Sequence, residues 1–240
     1  MPEKPDRGSS IAMALLSRFL VTGEVAETQW VAPRMRLIRI RGAEPAGLRW
    51  TPGQHVRLML RTSLRTYSIW RLDTASESLD LIGHDHGGDG PGTTWVRTVT
   101  VGQKIRFTRP QGHFVPHDEA RYHLFAGEET ASVAFGAMLS AIPESAPVYG
   151  VAEADQAGDH LDLPRELVRI NRNGASAASS ALLVKAVADL DLPDTPGTAY
   201  LAGEARTIQA IRRHLVHDRG WNRKDIRTKP FWTPGKRGLD

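Results

Sequence analysis

Near His117 the chain changes its rhythm, and that change divides it into two kinds of unit in series. Before it, six runs carry strand-like patterns: Val21–Trp30, Met35–Arg41, His55–Leu60, Leu64–Trp70, Ser78–His84 and Gln103–Thr108. Pro33, Thr51-Pro-Gly-Gln54, the polar stretch Asp73–Glu77 and Val101-Gly102 supply the breaks between them. Connections that are mostly this short favour antiparallel pairing. The first half is therefore predicted to be an antiparallel barrel or sandwich.

After His117 strands alternate with helices. Tyr122–Ala126 runs through Gly127 into a helical pattern over Glu128–Ala141. Pro147–Val151 and Val168–Ile170 are strand-like, and Ala178–Leu190 is helical. Ala199–Ala202 passes through Gly203 into Glu204–Arg219, which Gly220 ends. Strand–glycine–helix units of this kind build a parallel sheet with crossover helices. The expected organisation is a β domain over residues 1–116 and an α/β domain over 117–240. Residues 1–10 are expected to be disordered, with a short amphipathic helix at Ile11–Leu20.

The composition narrows the chemistry. With no cysteine among 240 residues, thiol nucleophiles, disulfides, Cys-ligated iron–sulfur clusters and c-type haem are excluded. Redox work would need a bound organic cofactor or a metal on other ligands. No apolar run reaches membrane-spanning length and no secretory pattern opens the chain, so the cytoplasm is the expected location. The net charge of +4 is unevenly spread: nine arginines and one acid lie between Arg34 and Arg71, and seven basic residues face Asp225 between Arg219 and Arg237. Such stretches suit anionic partners. Nucleic acid is not expected, because no nucleic-acid motif accompanies the charge.

Three groups of residues carry possible chemistry. The first is Arg65-Thr66-Tyr67-Ser68, where alternation puts Arg65 and Tyr67 on one face and Thr66 and Ser68 on the other. A cation, a ring and a hydroxyl would suit a planar ligand bearing phosphate, although four residues alone also fit an ordinary edge strand. The second is the loop His84-Asp-His86-Gly-Gly-Asp-Gly90-Pro-Gly92-Thr-Thr-Trp95. Its glycines allow close backbone approach, and Thr93-Thr94 would open a helical turn with free N–H groups for phosphate. A glycine-rich surface hairpin is the competing reading. His84 and His86 could share a strand face, but two histidines without a third ligand make a weak metal site, and none is expected. The third group joins two strand-to-helix crossings, Gly127-Glu-Glu-Thr-Ala131 and Gly203-Glu-Ala205, with the aromatic tail Phe231-Trp232. Neither crossing is a G-x-G-x-x-G dinucleotide fingerprint.

Taken in order, the PGQ turn, R-T-Y-S strand, H-G-x-x-G-P-x-x-x-W loop, G-E-E-T-A and G-E-A helix starts and aromatic-Trp tail resemble the siderophore-interacting protein family. These are FAD-dependent ferric-siderophore reductases related to the ferredoxin–NADP reductase superfamily. The resemblance runs from about residue 22 to 238. It implies a six-stranded FAD-binding barrel followed by a Rossmann-like domain, with NADH or NADPH as electron donor and ferredoxin as a possible partner. It implies that Arg65 contacts FAD phosphates or ribityl, that Tyr67 stacks on the isoalloxazine, and that Ser68 lies near its redox edge, with Thr66 between them. His86, Gly87, Pro91, Gly92, Thr93, Thr94 and Trp95 match the second flavin segment, with the threonines at the pyrophosphate. Glu129, Thr130, Ala131, Gly203, Glu204 and Trp232 complete the implied cofactor site. Glu128 stands where the family has Asp. Thr233 and Pro234 depart from its tail.

The activity so implied is reduction of an Fe(III) chelate to Fe(II) through flavin, with no separate catalytic side chain and iron as substrate. Arg71, Lys236 and Arg237 are the candidate contacts to an anionic ferric siderophore. The protein is expected to act as a monomer. The competing functions are a flavin reductase of a protein or quinone acceptor and a non-catalytic siderophore- or nucleic-acid-binding module.

Overall fold

A computed structural model of the chain describes residues 20–236 apart from residue 62. The expected disorder of residues 1–10, the expected helix at Ile11–Leu20 except its last residue, and Arg237 lie outside the described residues.

The first half is a closed barrel. Its strands are β1 (Val21–Ala32), β2 (Met35–Arg41), β3 (His55–Leu60), β4 (Ser63–Asp73), β5 (Ser78–His84) and β6 (Lys104–Phe107), with short helices α1 (Ala43–Ala46) and α2 (Pro91–Thr98) between them. Pairing in the order β1-β2-β5-β4-β3-β6, with β6 back on β1, leaves no free sheet edge. Alternate residues point inward, so Val25, Ile38, Ile40, Val56, Leu58, Ile69, Leu79, Leu81 and Phe107 form a closed core. Helix α2 places Trp95 and Val96 in that core. Arg36 on β2 holds the other end of α2, donating to the carbonyls of Val96 (2.7 Å), Arg97 (2.9 Å) and Val99 (3.0 Å). A cation on these orphan carbonyls satisfies the helix C-terminus and complements its dipole.

The second half is a five-stranded parallel sheet in the order β11-β10-β7-β8-β9. It comprises β7 (His123–Glu128), α3 (Glu129–Ala141), β8 (Val148–Ala154), β9 (Val168–Asn171), α4 (Ala181–Ala188), β10 (Thr198–Glu204), α5 (Ala205–His217) and β11 (Ile226–Trp232). Leu124 and Leu201 meet Leu183, Ile208, Ile211 and Leu215 of α4 and α5 on one face, while Phe125 and Tyr200 meet Phe135, Met138 and Leu139 of α3 on the other. The sequence pattern did not reveal β11, because charged residues and Pro230 break its apolar signal. On an edge strand a proline is tolerated, since no ladder donor is needed on its outer side.

Helix α3 also faces the barrel. Trp70 of β4 lies against Gly136 so closely that a Cβ there would sit 2.1 Å from its ring. Met35, Ile82, Val133 and Leu161 bury a second apolar patch across the seam. Arg34 adds polar contacts, reaching Glu129 (3.4 Å), Asp155 (3.5 Å) and Asp159 (3.0 Å). A Gly136→Val substitution should therefore push Trp70 off α3 and lower stability by about 1–3 kcal/mol, the usual scale of overpacking. Chemical denaturation measures this, and an unchanged midpoint would show that the seam is not close-packed there.

Candidate functional site

Strand β4 and the start of α2 meet at one end of the barrel. Tyr67 pairs in register with Val56 and is turned toward the barrel core. Its ring packs edge-on against Trp95 at 5.2 Å, and its hydroxyl donates to the Gly92 carbonyl at 3.1 Å. Burial raises the pKa of its phenol, so it stays a neutral donor. Arg65, on the same face as Tyr67, runs beside Gly92; a Cβ on that glycine would sit 3.7 and 3.8 Å from the Arg65 stem. The Arg65 guanidinium donates only to the neighbouring Leu64 carbonyl at 2.8 Å and forms no ion pair among the described residues. The N-terminus of α2, with Gly90 as cap and Pro91 at its first position, has no side-chain cap. An unpaired guanidinium beside uncapped helix N–H groups is an anion site by the chemistry of both.

The loop leading into α2 is braced from within. Asp85 accepts two hydrogen bonds from Arg97, both 2.7 Å, and a third from the Gly87 N–H at 2.9 Å. These contacts hold the Asp85 pKa down to about 2, mainly through Arg97. His86 Nε2 shares a hydrogen bond of 2.5 Å with the Thr93 hydroxyl, which is buried. The Thr93 side chain thus holds the loop, leaving Thr94 exposed at the helix start. His84 and His86 stand 6.4 Å apart, ring to ring, and among the described residues no group of three His, Asp or Glu is placed to hold a metal. Both ring nitrogens of His84 are buried without a partner, and burial lowers its pKa to about 4.

A second cluster lies at the carboxyl edge of the parallel sheet. There the two strand-to-helix crossings and the aromatic tail come together. Glu128, fully buried, accepts from the Thr130 N–H (2.8 Å), the Thr130 hydroxyl (2.5 Å) and the Trp232 indole N–H (3.0 Å). Burial first, and the adjacent Glu129 second, raise its pKa to about 7. Gly203 has φ of +118°, and a Cβ there would lie 2.5 Å from the Glu128 carboxyl, so glycine is required on both counts. Glu204 accepts from the N–H groups of Arg206 (3.0 Å) and Thr207 (2.9 Å). Glu129 binds Arg172 through two contacts, 2.6 and 2.8 Å. Ala131 is wholly buried in the core of the α3 face, where it packs rather than faces a cleft.

A second cation crosses the seam. Lys229 of β11 donates to His55 Nδ1 of β3 at 2.8 Å, and His55 pairs in register with Ser68. Thr66 is exposed on this same outer face of β4, opposite Arg57. Burial lowers the Lys229 pKa to about 8, and burial together with the Lys229 and Arg57 charges lowers that of His55 to about 4. His55 is therefore the neutral acceptor near neutral pH. Neither residue carries a sequence signal of its own: Lys229 is one of seven basic residues in its stretch and His55 opens an ordinary strand pattern.

The other candidates are spread more widely. Arg71 is exposed, bonded to Asp73 at 3.4 Å, and lies six residues beyond Arg65, about 20 Å along an extended strand. Lys236 is exposed in the turn after β11. Much of the arginine-rich run is structural: Arg39 clamps Asp80 at 2.8 and 2.9 Å, Arg36 caps α2, and Arg34 joins the two halves.

A flavin adenine dinucleotide fits this donor set. Its phosphates are chemically suited to the unpaired Arg65 and the uncapped α2 start. The buried, unpartnered nitrogens of His84 offer polar capacity in the same seam.

Two family models match the chain: one described as the siderophore-interacting FAD-binding domain, over residues 60–114, and one described as siderophore-interacting protein, over residues 120–235. The ferric vibriobactin reductase ViuB of Vibrio cholerae is 27% identical over 176 residues, which is 72% of this chain and 65% of ViuB, so the match spans under two thirds of that relative's length. Among solved structures, a siderophore utilization protein from T. fusca superposes with a TM-score of 0.80 at 25% identity, covering 92% of this chain and 95% of that one. The ferredoxin–NADP+ reductase of Plasmodium falciparum shares the fold, with a TM-score of 0.75 at 12% identity over 88% of this chain and 96% of that one.

Proposed function

We propose, from the premise that this chain belongs to the siderophore-interacting protein family and takes FAD as its cofactor, that it reduces ferric siderophores and so releases iron in the cytoplasm. The observation that carries this reading is the unpaired Arg65 beside the uncapped start of α2. Residues 1–116 would form the flavin unit and 117–240 the donor-side unit of a protein acting as a monomer.

FAD, when bound, supplies two-electron acceptance from a nicotinamide donor and one-electron delivery to iron. Arg65 and the first N–H groups of α2 would hold its phosphates, with Thr94 at the same helix start. Tyr67, fixed through Gly92 and Trp95, would set the depth of the ring, and Ser68 would lie toward its reactive edge. Trp232, oriented by Glu128, would cover the side toward the sheet and limit water entry. Each Fe(III) accepts one electron to become Fe(II), whose lower charge weakens its hold on hard oxygen ligands.

Lys229, reaching Phe231 and His55 at the seam, adds a positive charge that would draw in an anionic chelate. Its pKa of about 8 gives this attraction a sign. The ammonium is present below about pH 8 and lost above it, so the second-order rate with an anionic chelate should fall through that pH. In Lys229→Met the rate should be several-fold lower, roughly 3- to 10-fold, and lack that step. An unchanged profile would remove Lys229 from the substrate path.

The activity itself is tested by reducing the protein anaerobically and mixing it with ferric triscatecholate and hydroxycarboxylate chelates in the presence of an Fe(II) trap. Faster trapping than with an equal amount of free reduced FAD is the expected result. A rate equal to that of free flavin points instead to another acceptor, a protein or a quinone.

A further inference from the structure

In an open parallel sheet a dinucleotide crosses the carboxyl ends of the strands. Its pyrophosphate sits on free N–H groups at a helix start, and glycine makes room for it. Here the chain itself occupies each of these places. The start of α3 is capped by the Glu128 carboxylate, that of α5 by the Glu204 carboxylate, and that of α4 by the Ser180 hydroxyl, which donates in turn to Glu153. The space left by Gly203 holds the Glu128 carboxyl, and that left by Gly127 holds the Ala202 carbonyl and the Ala131 methyl. Arg172 is buried and already engaged by Glu129 and Glu153. Arg34, the other cation of this cluster, is shared among Glu129, Asp155 and Asp159.

The start of α2 is the contrast within the same molecule. It lacks a side-chain cap and has the unpaired Arg65 beside it. The start of α2 is thus open to phosphate, whereas the starts of α3, α4 and α5 are each capped by a side chain of the chain itself.

We propose that the sheet edge is closed to the pyrophosphate of a nicotinamide dinucleotide, with Glu128 and Glu204 as the residues that close it, so that a donor is selected through its dihydronicotinamide ring and adjoining ribose alone. The inference rests on the flavin reading above. The hydride leaves C4 of the dihydronicotinamide with both electrons of its bond, leaves a pyridinium behind, and passes to the bound flavin. The adenosine and pyrophosphate of the donor contribute no anchoring to that encounter.

The test uses the FAD-loaded full chain. NAD+, NADP+ and nicotinamide mononucleotide are titrated calorimetrically, and anaerobic reduction by NADH, NADPH and reduced nicotinamide mononucleotide is followed through flavin absorbance. The expected result is no dinucleotide binding tighter than about 1 mM, and kcat/KM values for the three donors within about tenfold of one another. Micromolar dinucleotide binding, or a preference of about a hundredfold for either dinucleotide, would overturn the proposal. Glu128→Ala frees the Thr130 N–H and empties the space beside Gly203. It should tighten NADP+ binding by about fivefold. A variant that keeps its FAD but gains no affinity would overturn the assignment of Glu128. Iron trapping by chemically reduced protein is a separate readout, so failure here is distinguishable from failure of the reductase reading.

Discussion

Replacing Arg172 with alanine should lower the unfolding free energy by about 3–5 kcal/mol, the scale for removing one partner of a buried ion pair. Arg172 is 8% exposed at its side chain, and it binds Glu129 (2%) and Glu153 (0%). Burial alone would raise the Glu129 pKa, but hydrogen bonds and charge from Arg172 outweigh it and the net shift is downward. Without Arg172 both carboxylates lose that compensation inside the sheet edge. For a chain of this length the loss corresponds to roughly 6–20 °C in Tm. Arg172→Lys should recover only part of it, because an ammonium cannot make the two parallel contacts to Glu129. The pH dependence has a fixed sign. A folded-state pKa below the ordinary carboxylate value means that the Glu129 contribution is present above that ordinary value and is lost as pH falls through the folded one. Thermal and urea denaturation of both variants measure this, and a loss under about 1 kcal/mol for Arg172→Ala would contradict the burial on which it rests.

The second large effect is on cofactor affinity. Arg65→Gln should weaken FAD binding by about 1.5–3 kcal/mol, the usual value of a hydrogen bond to a charged group, or roughly 10- to 150-fold. Its effect on the fold should be small, since the guanidinium donates only to the adjacent Leu64 carbonyl. Separation of the two effects is the informative part: flavin fluorescence titration should change while the denaturation midpoint of the apoprotein does not. Equal FAD affinity in the variant would move the phosphate away from Arg65.

The barrel and the parallel sheet were legible because their strand patterns and short turns differ in kind from strand–glycine–helix repeats. Strand β11 was not, since Arg227, Thr228, Lys229 and Pro230 leave it neither an apolar run nor a clean alternation. The strand Arg65–Ser68 and the loop to Trp95 were readable as a pair, and the structure brings Tyr67, Gly92 and Trp95 into contact. What sequence could not supply was the partner of each charge. Thr93 looked like a phosphate contact, yet its side chain is bonded to His86. The arginine excess looked like a field for anions, yet Arg34, Arg36 and Arg39 are largely committed to carboxylates and helix carbonyls. Lys229 and His55 lie 174 residues apart, a pairing that only the closed seam between barrel and sheet creates.

Titration of the apoprotein with FAD and with riboflavin tests the central claim most directly, because the two share the ring and differ in phosphates and adenosine. If Arg65 and the open start of α2 hold the phosphates, one FAD should bind per chain and riboflavin should bind at least about a hundredfold more weakly. Equal affinity for the two, or no uptake of FAD, would contradict the account.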